Sequence, residues 1–247
     1  MFFEDLYICK KTMMKGTLFL IPNTLGSENF QEILPAFNLN IVNQINHYIV
    51  ENERNARRFL IKCKIETKID DLEFFLLNKH TDPIYLDNFL KPALEGNHIG
   101  LISEAGCPAI ADPGAMIVQM AHDKNILVKP LIGPSSILLA LIASGLNGQS
   151  FQFHGYLPID KSNRLHYLRK LEKTVQGTGQ SQIFMETPYR NNKLLQDILH
   201  NYSEQTRLCI ASNITTESES IQTKRIFEWK RNTPDLNKIP TVFIIGL

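Results

Sequence analysis

The chain has 247 residues, 43% of them hydrophobic and 21% charged, which excludes a disordered, collagen-like or coiled-coil protein and leaves room for two lobes. Twenty-six Lys and Arg balance 25 Asp and Glu, so a net charge of +1 means that any polyanion partner must meet a local basic patch. The four cysteines are scattered without a C-x-x-C pair, which argues against zinc and disulfides and for reduced thiols in the cytoplasm.

Residues 1–12 carry Glu4, Asp5, Lys10 and Lys11 and no clean apolar run, so they read as an N-terminal extension and not as a signal peptide. Strand-length apolar runs follow at 17–22, 45–50, 98–103, 125–130, 150–154, 181–185, 207–212, 220–228 and 240–246, separated by helix-length amphipathic segments. Asp82-Pro83, Asp112-Pro113 and Thr187-Pro188 each set a capping residue before a proline, and Gly133-Pro134-Ser135 opens a further helix. After Thr187, the spacing of Leu194, Leu195, Ile198 and Leu199 predicts one apolar face packed on a sheet. The most apolar stretch, 126–146, is interrupted by Lys129, Pro130, Gly133 and Pro134 and is no membrane span. The last two strands flank a polar turn at 231–238 and read as an antiparallel pair, which predicts an α/β fold with mixed sheets. The Gly- and Pro-rich stretch 106–114 suggests a boundary near Met116, dividing the chain into lobes 13–116 and 117–247.

P-loop, G-x-G-x-x-G and G-x-S-x-G motifs are missing, and the seven histidines do not fall at metal-ligand spacing, so no metal site is expected. What remains are three junctions rich in small residues: 21–26 after the first strand, 103–114 after the third, and 132–136. One such loop is an ordinary turn; three in an α/β chain predict a shared ligand cleft beyond the carboxyl ends of the strands. A cationic run, Arg54, Arg57, Arg58, Lys62 and Lys64, follows the second strand, and a second, Lys161, Arg164, Arg169, Lys170 and Lys173, follows the fifth. Arg58, Lys62 and Lys64 read as a solvated helix face.

The stretches GTLFLIPNTLG, IVENERNARRFL, GLISEAGCPAIADPG, LIGPSSILLALIASGL and FQFHGYLP resemble, in content and order, the tetrapyrrole methylase superfamily, and most of all its small-subunit rRNA cytidine 2′-O-ribose methyltransferase branch. The resemblance spans residues 16–247 and is most specific at 100–114 and at the GYLP segment 155–158. It implies a two-lobed α/β fold with S-adenosylmethionine in a cleft between the lobes, a homodimer, and small-subunit ribosomal RNA or the small subunit as partner. It also implies cofactor contacts at Pro22, at Ala105, Gly106, Cys107 and Ile110, at Ser135 and Ser136, and at Met185 and Ile214. Arg54 and Arg57 match arginines of the rRNA branch, and a guanidinium fork suits phosphate. Asn52, Glu53, Glu104 and Cys107 depart from the branch, which shows Asp, Thr, Asp and Thr there, and the small C-terminal extension of the longer rRNA enzymes is expected to be lacking.

The resulting expectation is a methyltransferase acting on a ribose hydroxyl of RNA. A hydroxyl nucleophile must lose a proton, and Glu51 is the first candidate base, Glu104 the second, with His154 and His80 behind them. A salt bridge from Glu51 to Arg54 explains Glu51 equally well. The alternatives are a same-fold methyltransferase for a tetrapyrrole or other small molecule, and a non-catalytic RNA- or cofactor-binding module.

Overall fold

The computed structural model describes residues 14–78 and 81–247; the expected extension 1–12, Cys9 and the base candidate His80 lie outside them. The chain forms two compact units, one running to Asn23 and resuming over Leu34–Ile132, the other made of Thr24–Ile33 and Gly133–Leu247. The boundary expected near Met116 falls inside the helix Gly114–Asp123. Ile117, Ala121 and Ile126 are buried in the first unit's core, so the chain leaves that unit only after Ile132.

In chain order the first elements are β1 (Thr17–Ile21), α1 (Phe30–Ile33), α2 (Ala36–Val42), β2 (His47–Val50), α3 (Glu53–Lys62) and β3 (Glu73–Leu76). Then come α4 (Leu86–Phe89), α5 (Lys91–Leu94), β4 (Ile99–Ile102), α6 (Gly114–Asp123) and β5 (Leu127–Pro130). The first unit's sheet runs β3-β2-β4-β1-β5 with every neighbouring pair parallel. Helical crossovers between successive strands dictate this, because parallel neighbours cannot be joined by a tight turn. The mixture of directions expected from the sequence is therefore confined to the second unit. Leu18, Ile49, Ile99 and Leu101 pack against Leu86, Phe89, Ala93, Ile117 and Ala121 on one face. On β4, a Cβ at Gly100 would come within 2.9 Å of the Tyr48 ring and 2.6 Å of Ile21, so only glycine lets that fully buried ring lie across the sheet. β3 has no counterpart among the expected strands. It pairs only with β2, and its Glu73 and Leu76 are exposed, so it leaves no alternating pattern to read.

The second unit continues with α7 (Ser136–Ser144), β6 (Phe151–Tyr156), α8 (Lys161–Thr178), β7 (Ser181–Met185), α9 (Asn191–Asn201), β8 (Arg207–Ser212), β9 (Ser220–Arg225), α10 (Ile226–Arg231) and β10 (Thr241–Gly246). Its sheet, β6-β7-β10-β8-β9, is parallel only between β6 and β7. The two last strands do not pair with each other: β8 lies between them, and residues 226–231 are helical. Alternation along the strands sends Phe184, Phe243 and Ile245 to α8 and α9, where Leu168, Leu171, Leu194, Leu195, Ile198 and Leu199 are buried. Ile183, Val242 and Ile244 face the other way, onto Ile137, Ala140 and Leu141 of α7. No helix among the described residues is long and apolar enough to cross a membrane.

Candidate active site

In the first unit, β2 sends the chain outward to β3 while its neighbour β4 sends it the opposite way, towards β5. Such a reversal opens a crevice at the carboxyl ends of the two strands. Val50 and Ile102 are register partners there, so Glu51 and the 103–114 loop leave the sheet side by side. The loop after β1 is stitched to the same place. The Asn23 N–H donates to the Gly106 carbonyl at 3.0 Å, and Asn23 Nδ2 donates to the carbonyls of Ser103 and Glu104, each at 3.2 Å. Pro22, buried beside Asn23, is thereby held next to the central loop.

The central loop is braced from within. Gly106 has φ +68°, a left-handed conformation open to glycine at no steric cost, and its carbonyl also accepts from Ser103 Oγ at 2.6 Å. Ala109 and Ala111 hold φ of +65° and +60°, conformations that cost non-glycine residues about 1–3 kcal/mol each. Asp112 Oδ1 offsets this by accepting from the N–H groups of Ala109 at 2.8 Å and Gly114 at 2.7 Å. The result leaves Ala105 and Ile110 exposed and Cys107 half-buried. Burial raises the Cys107 pKa, so the side chain stays a neutral thiol at neutral pH.

Three carboxylates gather at this edge. Glu51 has its pKa raised by burial first, then by the charges of Asp112 and Glu104. Burial also raises Asp112, against the lowering effect of its two backbone hydrogen bonds. Glu104 Oε2 accepts from Asn55 Nδ2 of α3 at 2.5 Å. Among the described residues no ion pair joins Glu51 to Arg54, which removes the salt-bridge account of Glu51. His154 is occupied elsewhere, with Nδ1 3.0 Å from the Tyr167 hydroxyl and Nε2 2.7 Å from Gln182 Oε1. Sequence reasoning passed over Asn55 and the bracing role of Asp112. Asn55 lies within a charged run that reads as solvated helix, and its partner is 49 residues away.

Arg54 and Arg57 separate. Asn52 caps α3, accepting from the Asn55 N–H, so Arg54 and Arg57 fall in the helix's first two turns. Arg54 is exposed and makes no ion pair among the described residues. Arg57 is engaged by Glu53 at 2.9 Å and Asp70 at 3.1 Å, with its guanidinium 5.0 Å from the centre of the Phe74 ring. The second cationic run loses a member too. Arg164 is buried, paired with Asp197 at 2.6 Å, and donates to the carbonyls of Pro158 and Ile159.

The remaining candidates belong to the second unit. Ser135 caps α7, its Oγ accepting from the Leu138 N–H at 3.5 Å, and Ser136 is the helix's first residue. Met185 ends β7 and Ile214 follows β8; both join the apolar cluster that includes Leu25 and Ile137. Beside Ile214, the buried Thr215 hydroxyl has no hydrogen-bond partner, and Thr215 itself is left-handed at φ +69°. A buried polar atom without a partner costs about 1–3 kcal/mol.

Over 214 residues, 86% of the chain, the sequence is 31% identical to the ribosomal RNA small subunit methyltransferase I of Vibrio cholerae, covering 70% of that protein. The protein of the same name from Buchnera aphidicola is 28% identical over 236 residues, 93% of this chain and 78% of its own. The chain belongs to the ribosomal RNA small subunit methyltransferase I family. No family model matches it. The fold is that of the methyltransferase CobJ, with TM-score 0.62 at 15% identity over 94% of both chains, and of cobalt precorrin-4 methyltransferase CbiF, with TM-score 0.60 at 13% identity over 93% of this chain and 94% of that one. As a member of the family the chain is an S-adenosylmethionine-dependent methyltransferase. Its residues fit that cofactor: three carboxylates suit a ligand that is cationic at its methionine end, and a neutral Cys107 offers no thiolate to compete for the methyl group.

Proposed function

We propose that the chain methylates a ribose 2′-hydroxyl of small-subunit ribosomal RNA, with Glu51 as the base. The observation that carries the substrate class is the identity to curated rRNA methyltransferases over most of the chain. The likeness to tetrapyrrole enzymes, at 13–16% identity, carries the fold alone. The cofactor contacts this reading assigns are Pro22, Ala105, Gly106, Cys107, Ile110, Ser135, Ser136, Met185 and Ile214.

The cofactor supplies an electrophilic methyl group on a sulfonium. Transfer is an in-line displacement, so the protein's main task is alignment, an effect worth up to about 7–11 kcal/mol. The hydroxyl must also lose its proton. Burial and the Asp112 and Glu104 charges make Glu51 a stronger base than an ordinary surface carboxylate, and Asn55 holds Glu104 in place beside it. Arg54, exposed at the start of α3, would meet a phosphate of the bound strand.

The test is methyl transfer from labelled cofactor to small subunits, or to their naked RNA, lacking the modification. A 2′-O-methyl group removes the nucleophile that alkali uses to cleave the chain, so label is expected in alkali-resistant dinucleotides. Label released in mononucleotides would place the methyl on a base, and label confined to a tetrapyrrole would overturn the RNA reading.

A further inference from the structure

Two exposed aromatic side chains share one end of the second unit's sheet. Tyr156, at the end of β6, is 56% exposed, and Tyr189, four residues beyond the end of β7, is 75% exposed. The strands are parallel neighbours, with Tyr156 in register with Met185. Ile159, three residues after Tyr156, is 68% exposed.

Each tyrosine stands on a short segment clamped from beneath. A register shift between Phe153 and Tyr156, with Gly155 at φ +64°, breaks the strand's two-residue alternation; such a bulge re-aims a side chain. The segment after it is fixed by the buried Arg164, which donates to the carbonyls of Pro158 at 3.2 Å and Ile159 at 2.7 Å while paired with Asp197. The Tyr189 turn is fixed by Glu186, whose buried carboxylate accepts from Arg190 at 2.5 Å and from the Thr187 N–H at 2.6 Å. The Lys238 N–H donates to the Pro188 carbonyl at 3.0 Å. Each segment is thus anchored by an arginine–carboxylate pair, while Tyr156 and Tyr189 themselves stay exposed.

The surroundings are cationic. Lys161 and Lys193 are exposed, and Lys238 Nζ lies 5.9 Å from the centre of the Tyr189 ring. Of the acids nearby, Glu186 is paired with Arg190, while Asp160, which caps α8, and Asp235, which accepts from Asn192 Nδ2 at 2.6 Å and from the Asn237 N–H at 3.0 Å, keep their charges beside the three lysines. Flat rings that ignore base identity, set among lysines, match single-stranded nucleic acid, whose bases stack and whose phosphates need cations.

We propose that Tyr156 and Tyr189 form a stacking platform for unpaired bases of the RNA substrate, with Lys161, Lys193 and Lys238 serving the adjoining phosphates. This rests on the RNA reading given above. It assigns the platform a role in binding, separate from the methyl-transfer residues.

The test uses the full chain and a fluorescently labelled single-stranded RNA of about 12 nucleotides, a length within the span of known single-strand sites. Tyr156→Ala and Tyr189→Ala should each weaken binding about tenfold, while Tyr156→Phe and Tyr189→Phe should bind as the wild type does, because stacking needs the ring and not the hydroxyl. The slope of log affinity against log salt should be the same in all four variants, since no charge is removed. Cofactor affinity, followed by calorimetry, should also be unchanged, which shows the variants to be folded. Alanine variants with wild-type RNA affinity would overturn the platform and leave the methyltransferase reading intact. So would alanine variants whose sedimentation changes while RNA affinity does not, which would make the patch a contact between copies. Phenylalanine variants as weak as alanine ones would assign the rings to hydrogen bonding and overturn stacking. A wild type that binds cofactor but no RNA would overturn both the platform and the RNA reading.

Discussion

Glu51 sits half-buried directly after β2, and its pKa is raised by that burial first and then by the charges of Asp112 and Glu104. The folded state therefore holds the proton more tightly than the unfolded chain, and ionising Glu51 in place costs stability. The cost is absent below the unfolded carboxylate pKa and fully present above the raised one. Glu51→Gln should thus unfold at higher urea than the wild type at neutral pH, and the gain should vanish as pH falls through the carboxylate range. The same variant should lose methyl transfer with cofactor affinity retained. A neutral-pH midpoint below that of the wild type would mean that the Glu51 charge is satisfied in the folded state, and would sink the base assignment. Residue types at this site were legible in the sequence because glycines and prolines crowd after strands. The Asn23, Asn55 and Asp112 hydrogen bonds were not, since each depends on loops that only the folded sheet brings together.

Helix α3 shows how one amphipathic segment divides its cations. Ala56, Phe59 and Leu60 face the sheet; Arg54 and Arg57, three residues apart, are neighbours on the solvent side, and Arg57, the nearer to the buried stripe, is the one that reaches Asp70 and Phe74. Arg57 ties α3 to Asp70 and lies over Phe74 of the edge strand β3, whereas Arg54 makes no ion pair among the described residues. The matching of both arginines to the rRNA branch could not distinguish these roles, because β3 itself is silent in the sequence. Arg54→Ala should weaken RNA binding and make the salt slope shallower by about 0.7, the value for one phosphate on a single strand, with the unfolding midpoint unchanged. Arg57→Ala should do the reverse, lowering the midpoint and leaving the slope alone; a shallower slope there would return Arg57 to the RNA.

The pairing of α8 with α9 is a second case in which a member of a cationic run is structural. Arg164 and Asp197 are both buried, and the guanidinium, whose Nε and Nη2 both donate to Asp197 Oδ2, also holds the segment after β6. Removing one partner leaves a buried charge alone, which costs about 3–5 kcal/mol. Arg164→Ala should therefore lower stability by about that amount in urea titrations. A loss below about 1 kcal/mol would show that solvent reaches the pair. The apolar face of α9 was legible in advance: Leu194, Leu195, Ile198 and Leu199 are all buried. Periodicity reports faces of this kind well, whereas a buried arginine breaks no pattern.

Strand positions were legible nearly throughout, because each central strand is an apolar run bounded by turn residues. Pairing was not, since β10 is inserted between β7 and β8 by contacts that no local run encodes. The division of the chain shows the same limit. A Gly- and Pro-rich loop looks like a linker, yet 106–114 is a braced part of the first unit, and the core of that unit continues through Ile117, Ala121 and Ile126 to β5. β5 pairs with β1, so it completes the sheet edge next to the strand that leads into Pro22. A fragment ending at Met116 loses β5 and these three buried side chains, and truncating a single buried isoleucine to alanine already costs about 2–5 kcal/mol in a well-packed core. A fragment ending at Ile132 keeps them all. The longer fragment should therefore unfold cooperatively in urea by circular dichroism, and the shorter one should show no transition. Equal transitions for the two would mean that α6 and β5 are dispensable and that the boundary lies near Met116 after all.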